Sequence, residues 1–102
     1  MMYHLTNLTD LDDEAINKML SDCKNVNNQD IVLQLLRLAN NRFGLAFNLK
    51  AVRGASYLKA AYTIMNEYRD VHQLNKVEMM ALNGIGDHIS DEIIHYLSNK
   101  EA

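Results

Sequence analysis

Apolar residues recur every three or four positions along most of this chain, which is the spacing of one face of an α-helix. Helical segments of this kind cover about residues 10–23, a second stretch that begins with Asp30 as its cap, and residues 56–68. No segment alternates apolar and polar residues as a half-buried strand does. We therefore predict an all-α fold, a compact bundle of about five helices.

Polar segments and glycines separate these helices. The polar run over residues 25–30 is the best linker candidate, and Gly54 is predicted to mark a turn before the third helix, which starts at Ser56. We divide the chain into an extra N-terminal helix with its linker, residues 1–29, and a main domain, residues 30–102. The residues predicted to face the core are Leu11, Ala15, Met19, Leu20, Cys23, Ile31, Val32, Leu35, Leu36, Leu38, Ala39, Phe43, Phe47, Ala60, Ala61, Ile64 and Tyr68.

The last third of the chain carries the most informative pattern. A short helix over residues 76–81 and a last helix to about residue 97 flank the segment Leu82-Asn83-Gly84-Ile85-Gly86. Two glycines at this spacing permit a tight turn that β-carbons would strain. The isoleucine between them, with Ile89 and Ile93 at helical spacing after it, is predicted to enter the core and anchor the hairpin.

This hairpin leaves backbone donors without internal partners. The amides of Gly84, Gly86 and the first turn of the last helix would point outward, where a phosphate oxygen can accept them at the positive end of the helix dipole. Such contacts read no base, so we predict sequence-independent DNA binding. Asp87, Asp91 and Glu92 weigh against this interpretation, because they repel phosphate.

The charge distribution adds a basic centre to this picture. The net charge is −3, but residues 31–76 hold seven basic side chains and two acidic ones, between acidic ends. Such a centre can form a local phosphate-binding patch or ordinary solvated helix faces. The chain has no run of 18 apolar residues, so we predict no membrane span. The lone Cys23 cannot form an internal disulfide, so we expect an intracellular protein of the cytoplasm or nucleus.

From Asp30 onward the chain resembles the N-terminal eight-kilodalton helix-hairpin-helix domain of family X DNA polymerases, such as DNA polymerases beta and lambda. Similar domains begin some structure-specific junction endonucleases. The resemblance covers about 70 residues in the same order, and residues 1–25 fall outside it. The matching segments are Leu35-Leu36-Arg37-Leu38-Ala39-Asn40, Arg53-Gly54-Ala55-Ser56-Tyr57-Leu58-Lys59-Ala60-Ala61 and the hairpin itself.

The resemblance implies a module that binds gapped, nicked or 5′-phosphorylated DNA in repair or replication, with Arg53 and Tyr57 near the 5′-phosphate. It also implies a monovalent cation, Na⁺ or K⁺, on the backbone carbonyls of Met80, Leu82 and Ile85. The DNA phosphate-binding residues predicted on both grounds are Leu82, Gly84, Ile85, Gly86, Asp87, His88, Arg53, Tyr57 and Lys59.

One departure from the family bears on catalysis. Members with 5′-deoxyribose-phosphate lyase activity form a Schiff base through a lysine. The corresponding position here is Glu92, which cannot form an imine, and the supporting basic position is His88. We therefore expect no enzyme activity from this chain, which could still be a module of a larger DNA repair enzyme. The alternative within this class is a lyase that uses Lys59.

A rival interpretation is a protein-interaction module that kept the fold and lost DNA binding. The acids around the hairpin are consistent with it, and the acidic face of the N-terminal helix is a possible docking site for a protein partner. Pairs such as His88 with Glu92 have the spacing of half a metal site, but no third ligand accompanies them. We expect no membrane partner and no catalytic metal.

Overall fold

The computed structural model describes the backbone of residues 13–45 and 48–101 and the side chains of residues 14–39 and 56–99. Within these ranges the chain forms five α-helices and two 3-10 helices and contains no strand, which confirms the all-α prediction. The α-helices are α1 (Asp13–Ser21), α2 (Gln29–Leu45), α3 (Asn48–Met65), α4 (Lys76–Met80) and α5 (Asp87–Glu101), and the 3-10 helices are Val26–Asn28 and Val71–Gln73.

Packing of α2 against α3 forms the centre of the molecule. The predicted inner face of α2 is confirmed, since Leu35 and Leu36 are almost fully buried. Across from them, the small side chains of Ala60 and Ala61 are also fully buried, together with Ile64. Burying a leucine or isoleucine side chain in this way contributes roughly 1.5–3 kcal/mol relative to leaving it exposed. The apolar periodicity thus identifies the buried face of each of these two helices.

The first helix packs onto this core through Met19, which is fully buried, while Leu20 and Cys23 are partly buried. Burial raises the pKa of the Cys23 thiol, and the neighbouring Asp22 adds to this effect. Leu11, at the start of the predicted helix, lies outside the described residues, as do the side chains of Phe43 and Phe47.

The predicted turn at Gly54 is wrong. Gly54 lies inside α3, which begins at Asn48 rather than at Ser56. A single glycine inside a helix costs only about 1 kcal/mol relative to alanine. Tertiary packing of the alanine-rich part of α3 can outweigh that cost, so the glycine does not end the helix.

The predicted burial of Tyr68 is also wrong. The third helix ends at Met65, and the Tyr68 side chain is 76% exposed. The carbonyl of Met65 accepts the amide of Lys24 at 2.8 Å, so the segment after α1 meets the end of α3. Beyond this point the chain leaves the helical path, and Tyr68 no longer shares a face with the buried residues of α3.

The polar run over residues 25–30 separates α1 from α2 as predicted, but it is firmly anchored. Asn28 is fully buried. Its amide group donates to the carbonyls of Arg69 at 2.9 Å and Glu67 at 3.4 Å, and its side-chain oxygen accepts the amide of Val71 at 2.8 Å. A buried asparagine with this set of partners fixes the loop after α3 against the start of α2.

Asp30 was expected to cap α2, but this helix begins one residue earlier, at Gln29, directly after a 3-10 helix. Asp30 therefore lies in the first turn, where its carboxylate accepts the amide of Ile31 at 2.9 Å. The same carboxylate accepts the hydroxyl of Tyr96 at 3.2 Å and faces His72. The acid suits the helix dipole in this position and also joins α2 to α5.

Among the helices that the structure describes, none combines the length and the apolar character needed to cross a membrane.

Candidate functional site

The hairpin consists of α4, a tight turn and α5, and local contacts fix where α4 begins and ends. A capping box begins α4: the side chain of Asn75 accepts the amide of Glu78 at 2.8 Å, and Glu78 accepts the amide of Asn75 at 2.9 Å. After five residues the helix ends, and the amide of Ile85 donates to the carbonyl of Leu82 at 3.1 Å. This bond closes the turn that leads into α5.

Gly84 makes the turn possible, and α3 supports it from one side. The φ angle of Gly84 is +82°, in the left-handed region that favours glycine. The aliphatic part of Lys59 lies over this residue, 3.2 Å from the position that a β-carbon would take. The hydroxyl of Thr63 donates to the carbonyl of Asn83 at 2.6 Å. The hairpin is thus held against α3 by both side chains.

The predicted anchoring of the hairpin by its isoleucines is confirmed. Ile85 is 3% exposed, and Ile89 and Ile93 of α5 are also buried. Leu97, one helical step further along, is partly buried against the same core. Because the isoleucine between the glycines points inward, the backbone on either side of it lies at the surface.

The surface of the turn carries open backbone donors. In the residues that the structure describes, the amides of Gly84, Gly86, Asp87 and His88 have no hydrogen-bond acceptor. Gly86 occupies the N-cap position of α5, since its carbonyl accepts the amide of Ser90 at 2.9 Å. A β-carbon on Gly86 would meet nothing within 4 Å. The start of a 15-residue helix, with its positive dipole end, is therefore accessible to an anion.

Two acids flank these amides, and one base lies between the acids. The ammonium of Lys76 is 2.6 Å from Oδ1 of Asp87 and 2.8 Å from Oδ1 of Asp91. The hydrogen bond from Lys76 holds the pKa of the Asp87 carboxyl below its ordinary value, and the two carboxylates raise the pKa of Lys76. The repulsion expected from the acids is thus partly offset at short range.

A second group of polar side chains adjoins the hairpin. Tyr57 of α3 is fully buried, and its hydroxyl lies 3.0 Å from Nε2 of His88 and donates to Oε2 of Glu92 at 3.3 Å. With that proton directed at the carboxylate, the hydroxyl oxygen can accept from the imidazole. A pocket of about 360 Å³ opens here, lined by Ser56, Tyr57, His88 and Ile89.

The structure brings most of the predicted site residues together. Lys59 contacts the hairpin, and Tyr57 contacts His88, but the buried ring of Tyr57 presents only its hydroxyl to polar neighbours. Arg53 belongs to α3, four residues before Tyr57, and its side chain lies outside the described residues. DNA contact by these residues stays a prediction.

The cation at the carbonyls of Met80, Leu82 and Ile85 also stays a prediction. The Leu82 carbonyl accepts the Ile85 amide and has a second lone pair that a cation could use. Within the part of the chain whose side chains are described, no cluster of three His, Cys, Asp or Glu side chains could hold a metal ion.

Two residues of this region were not predicted from the sequence, Lys76 and Thr63. Lys76 precedes its partners by 11 and 15 residues across the hairpin, and Thr63 precedes Asn83 by 20. None of these three separations matches the i, i+3 or i, i+4 spacing of helical neighbours, so no local pattern could have indicated these contacts. The Thr63 contact follows from packing of the turn against α3, and the Lys76 contacts follow from packing of α4 against α5.

Comparison of the chain with known proteins identified no matching protein family, no matching curated protein and no matching solved structure.

Proposed function

We propose that this chain is a sequence-independent DNA-binding module, with gapped, nicked or 5′-phosphorylated DNA as its ligand in repair or replication. The observation that carries the proposal is the set of open amides at Gly84, Gly86, Asp87 and His88. Backbone amides at a helix start are good donors to a phosphate oxygen. They recognise the backbone of the nucleic acid and not its bases.

Three further features support this ligand. Ile85 anchors the turn, so the donors are preorganised and little entropy is lost when they meet a phosphate. Lys59 lies against the turn and can add a positive charge to the same face. The pocket beside His88 adjoins the first turn of α5, and it offers space for the end of a DNA strand.

The module is proposed to lack lyase chemistry. The position of the Schiff-base lysine in the resembled family is Glu92, whose carboxylate accepts the Tyr57 hydroxyl. A carboxylate has no nucleophilic amine, so it cannot form an imine with a sugar aldehyde. Borohydride trapping on an abasic DNA end should therefore yield no covalent adduct, and an adduct that Lys59→Ala abolishes would instead identify the Lys59 lyase.

The direct test is an anisotropy titration of labelled gapped duplexes with the full chain. The duplex with a 5′-phosphate in the gap should bind, and scrambling its sequence should change the affinity by less than about twofold. Affinity should fall with salt, with a slope in log–log form of about −0.9 per phosphate contact. No binding at low salt, or a flat salt dependence, would contradict the proposal.

Substitution of Gly86 separates binding from folding. The carboxylate in Gly86→Asp would cap the first turn of α5, so stability should stay the same or rise by a few tenths of a kcal/mol. The same carboxylate would occupy the amides and repel phosphate, so DNA affinity should fall at least about tenfold. Gly86→Asn is the matched neutral control and should lose less affinity. Unchanged DNA binding by the folded Gly86→Asp chain would contradict the proposal that these amides bind phosphate.

A second candidate function, a protein-interaction module, is favoured by one observation. Val77 and Met80 of α4 are 78% and 42% exposed beside the hairpin. Exposed apolar side chains that lie together mark protein contacts. If this function is correct, the parent chain captures a protein partner and does not bind DNA. The double variant Val77→Ser, Met80→Ser should then abolish partner capture, whereas Gly86→Asp should leave it intact.

A further inference from the structure

We infer that Lys76 controls the affinity of the hairpin for phosphate by neutralising the two aspartates beside the open amides. This inference rests on the proposed DNA-binding function and adds a residue that the family resemblance does not include. In this proposal Lys76 acts through the two aspartates, whose charge it neutralises, and does not itself contact the DNA.

The geometry places one positive charge between two negative ones. The Lys76 ammonium contacts Oδ1 of Asp87 and Oδ1 of Asp91 at 2.6 and 2.8 Å. Asp87 is the first residue of α5, and its own amide is one of the open donors. A phosphate that approaches this amide must therefore come close to the Asp87 carboxylate, where repulsion is strongest.

The position of Lys76 is set by the backbone. It is the first residue of α4, directly after the Asn75 N-cap, and the capping box with Glu78 fixes this helix start. From there the side chain crosses to α5 and reaches residues one turn apart, Asp87 and Asp91. The formal charge of the three groups is −1 with Lys76 and −2 without it. The lysine therefore halves the local negative charge that a phosphate meets.

The test is DNA binding by Lys76→Met, which keeps much of the side-chain length and removes the charge. The affinity for the gapped, 5′-phosphorylated duplex at low salt should fall about three- to tenfold, and Lys76→Arg should restore it to within about twofold. Adding Asp87→Asn to Lys76→Met should recover most of the loss, because the carboxylate nearest the open amides is then gone and the formal charge of the three groups returns to −1.

Lys18→Met is the matched control. Lys18 pairs with Asp22 on α1, 3.4 Å away, so this variant removes the same charge from another exposed ion pair. It should change DNA affinity by less than about twofold. The melting temperatures of both variants should stay close to that of the parent chain, since exposed pairs stabilise little.

The outcomes separate the inference from the function on which it rests. If the parent chain binds DNA and Lys76→Met behaves like Lys18→Met, the role of Lys76 is overturned and the proposed function stands. A different outcome is that Lys76→Met lowers the affinity by the same factor in the parent chain and in the Asp87→Asn variant, while the salt slope indicates about one phosphate contact fewer. In that case Lys76 contacts phosphate directly, and the masking role is overturned. If the parent chain does not bind DNA, both fail.

Discussion

At the scale of single residues, the two glycines of the hairpin have different roles. Gly84 adopts a φ angle of +82°, and a β-carbon there would lie 3.2 Å from Cγ of Lys59. Gly86 has open space around the position of a β-carbon. Gly84 is therefore required for the turn itself. Gly86 leaves the start of α5 uncovered, which is a requirement of the proposed ligand and not of the fold.

We expect Gly84→Ala to destabilise the protein by about 1–2 kcal/mol. An L-residue pays a steric cost of this size in the left-handed region, and Lys59 would have to move as well. Urea denaturation followed by circular dichroism measures the change. Gly86→Asn serves as the control and should be neutral or slightly stabilising. Equal stability of Gly84→Ala and the parent chain would show that the turn does not need this backbone conformation.

The position of Tyr57 in the sequence does not decide whether its hydroxyl faces a ligand or another side chain of the protein. The family resemblance suggested a tyrosine that offers its hydroxyl to a phosphate. In the structure the ring is fully buried in the core, and the hydroxyl is already bonded with His88 and Glu92. Tyrosine combines an apolar ring with a polar tip, so its sequence position is compatible with both roles. A phosphate at this hydroxyl would have to compete with the Glu92 carboxylate.

At the scale of elements, the hairpin was predictable because its signals are local. Gly84 and Gly86 punctuate the turn, and Ile89 and Ile93 follow Ile85 at helical spacing. The beginning of α3 was not predictable in the same way. Gly54 has the residue type of a turn, but its cost within a helix is about 1 kcal/mol. Packing against distant parts of the chain decides such a case.

The first 3-10 helix and the loop after α3 depend on each other through Asn28. We expect Asn28→Ala to cost about 2–4 kcal/mol, since it removes three hydrogen bonds and leaves the buried amide of Val71 without its acceptor. Asn27→Ala is the control: its side chain is exposed, and stability should change by less than about 0.5 kcal/mol. Thermal or urea unfolding of both variants gives the comparison, and similar values would remove Asn28 as an anchor.

At the scale of the whole molecule, a cluster around His72 joins three parts of the chain. Nδ1 of His72 lies 2.7 Å from Asp70, and Nε2 lies 3.0 Å from Asp30 at the start of α2. Tyr96 of α5 donates to the same Asp30 carboxylate. Partial burial disfavours the imidazolium, but the hydrogen bonds with Asp30 and Asp70 outweigh it and raise the pKa of His72 above its ordinary value of 6.5.

This cluster predicts a pH dependence of folding. Because the pKa of His72 is higher in the folded state, its stabilisation is complete below about pH 6.5 and is lost as the pH rises through the folded-state pKa. His72→Gln should lower the free energy of unfolding by about 1–2 kcal/mol at about pH 6 and by less at about pH 8. Urea titrations at several pH values measure this.

His95→Gln is the matched control for that series, because His95 is exposed and contacts Asn99 instead of a carboxylate. Its pH profile should follow that of the parent chain. If the free energy of unfolding of His72→Gln depended on pH between about 6 and 8 as strongly as that of the parent chain, the cluster would not be the source of the pH dependence.

The sequence by itself determined the helical class, the buried faces of α2 and α5, and the inward isoleucine of the glycine turn. These depend on periodicity and backbone sterics, which act over a few residues. Tertiary structure alone decided that α3 continues through Gly54, that Asn28 anchors a loop some 40 residues away, and that Lys76 lies between two acids. The contacts of Asn28 and Lys76 join different elements of the chain, so their energy exists only once the helices have packed.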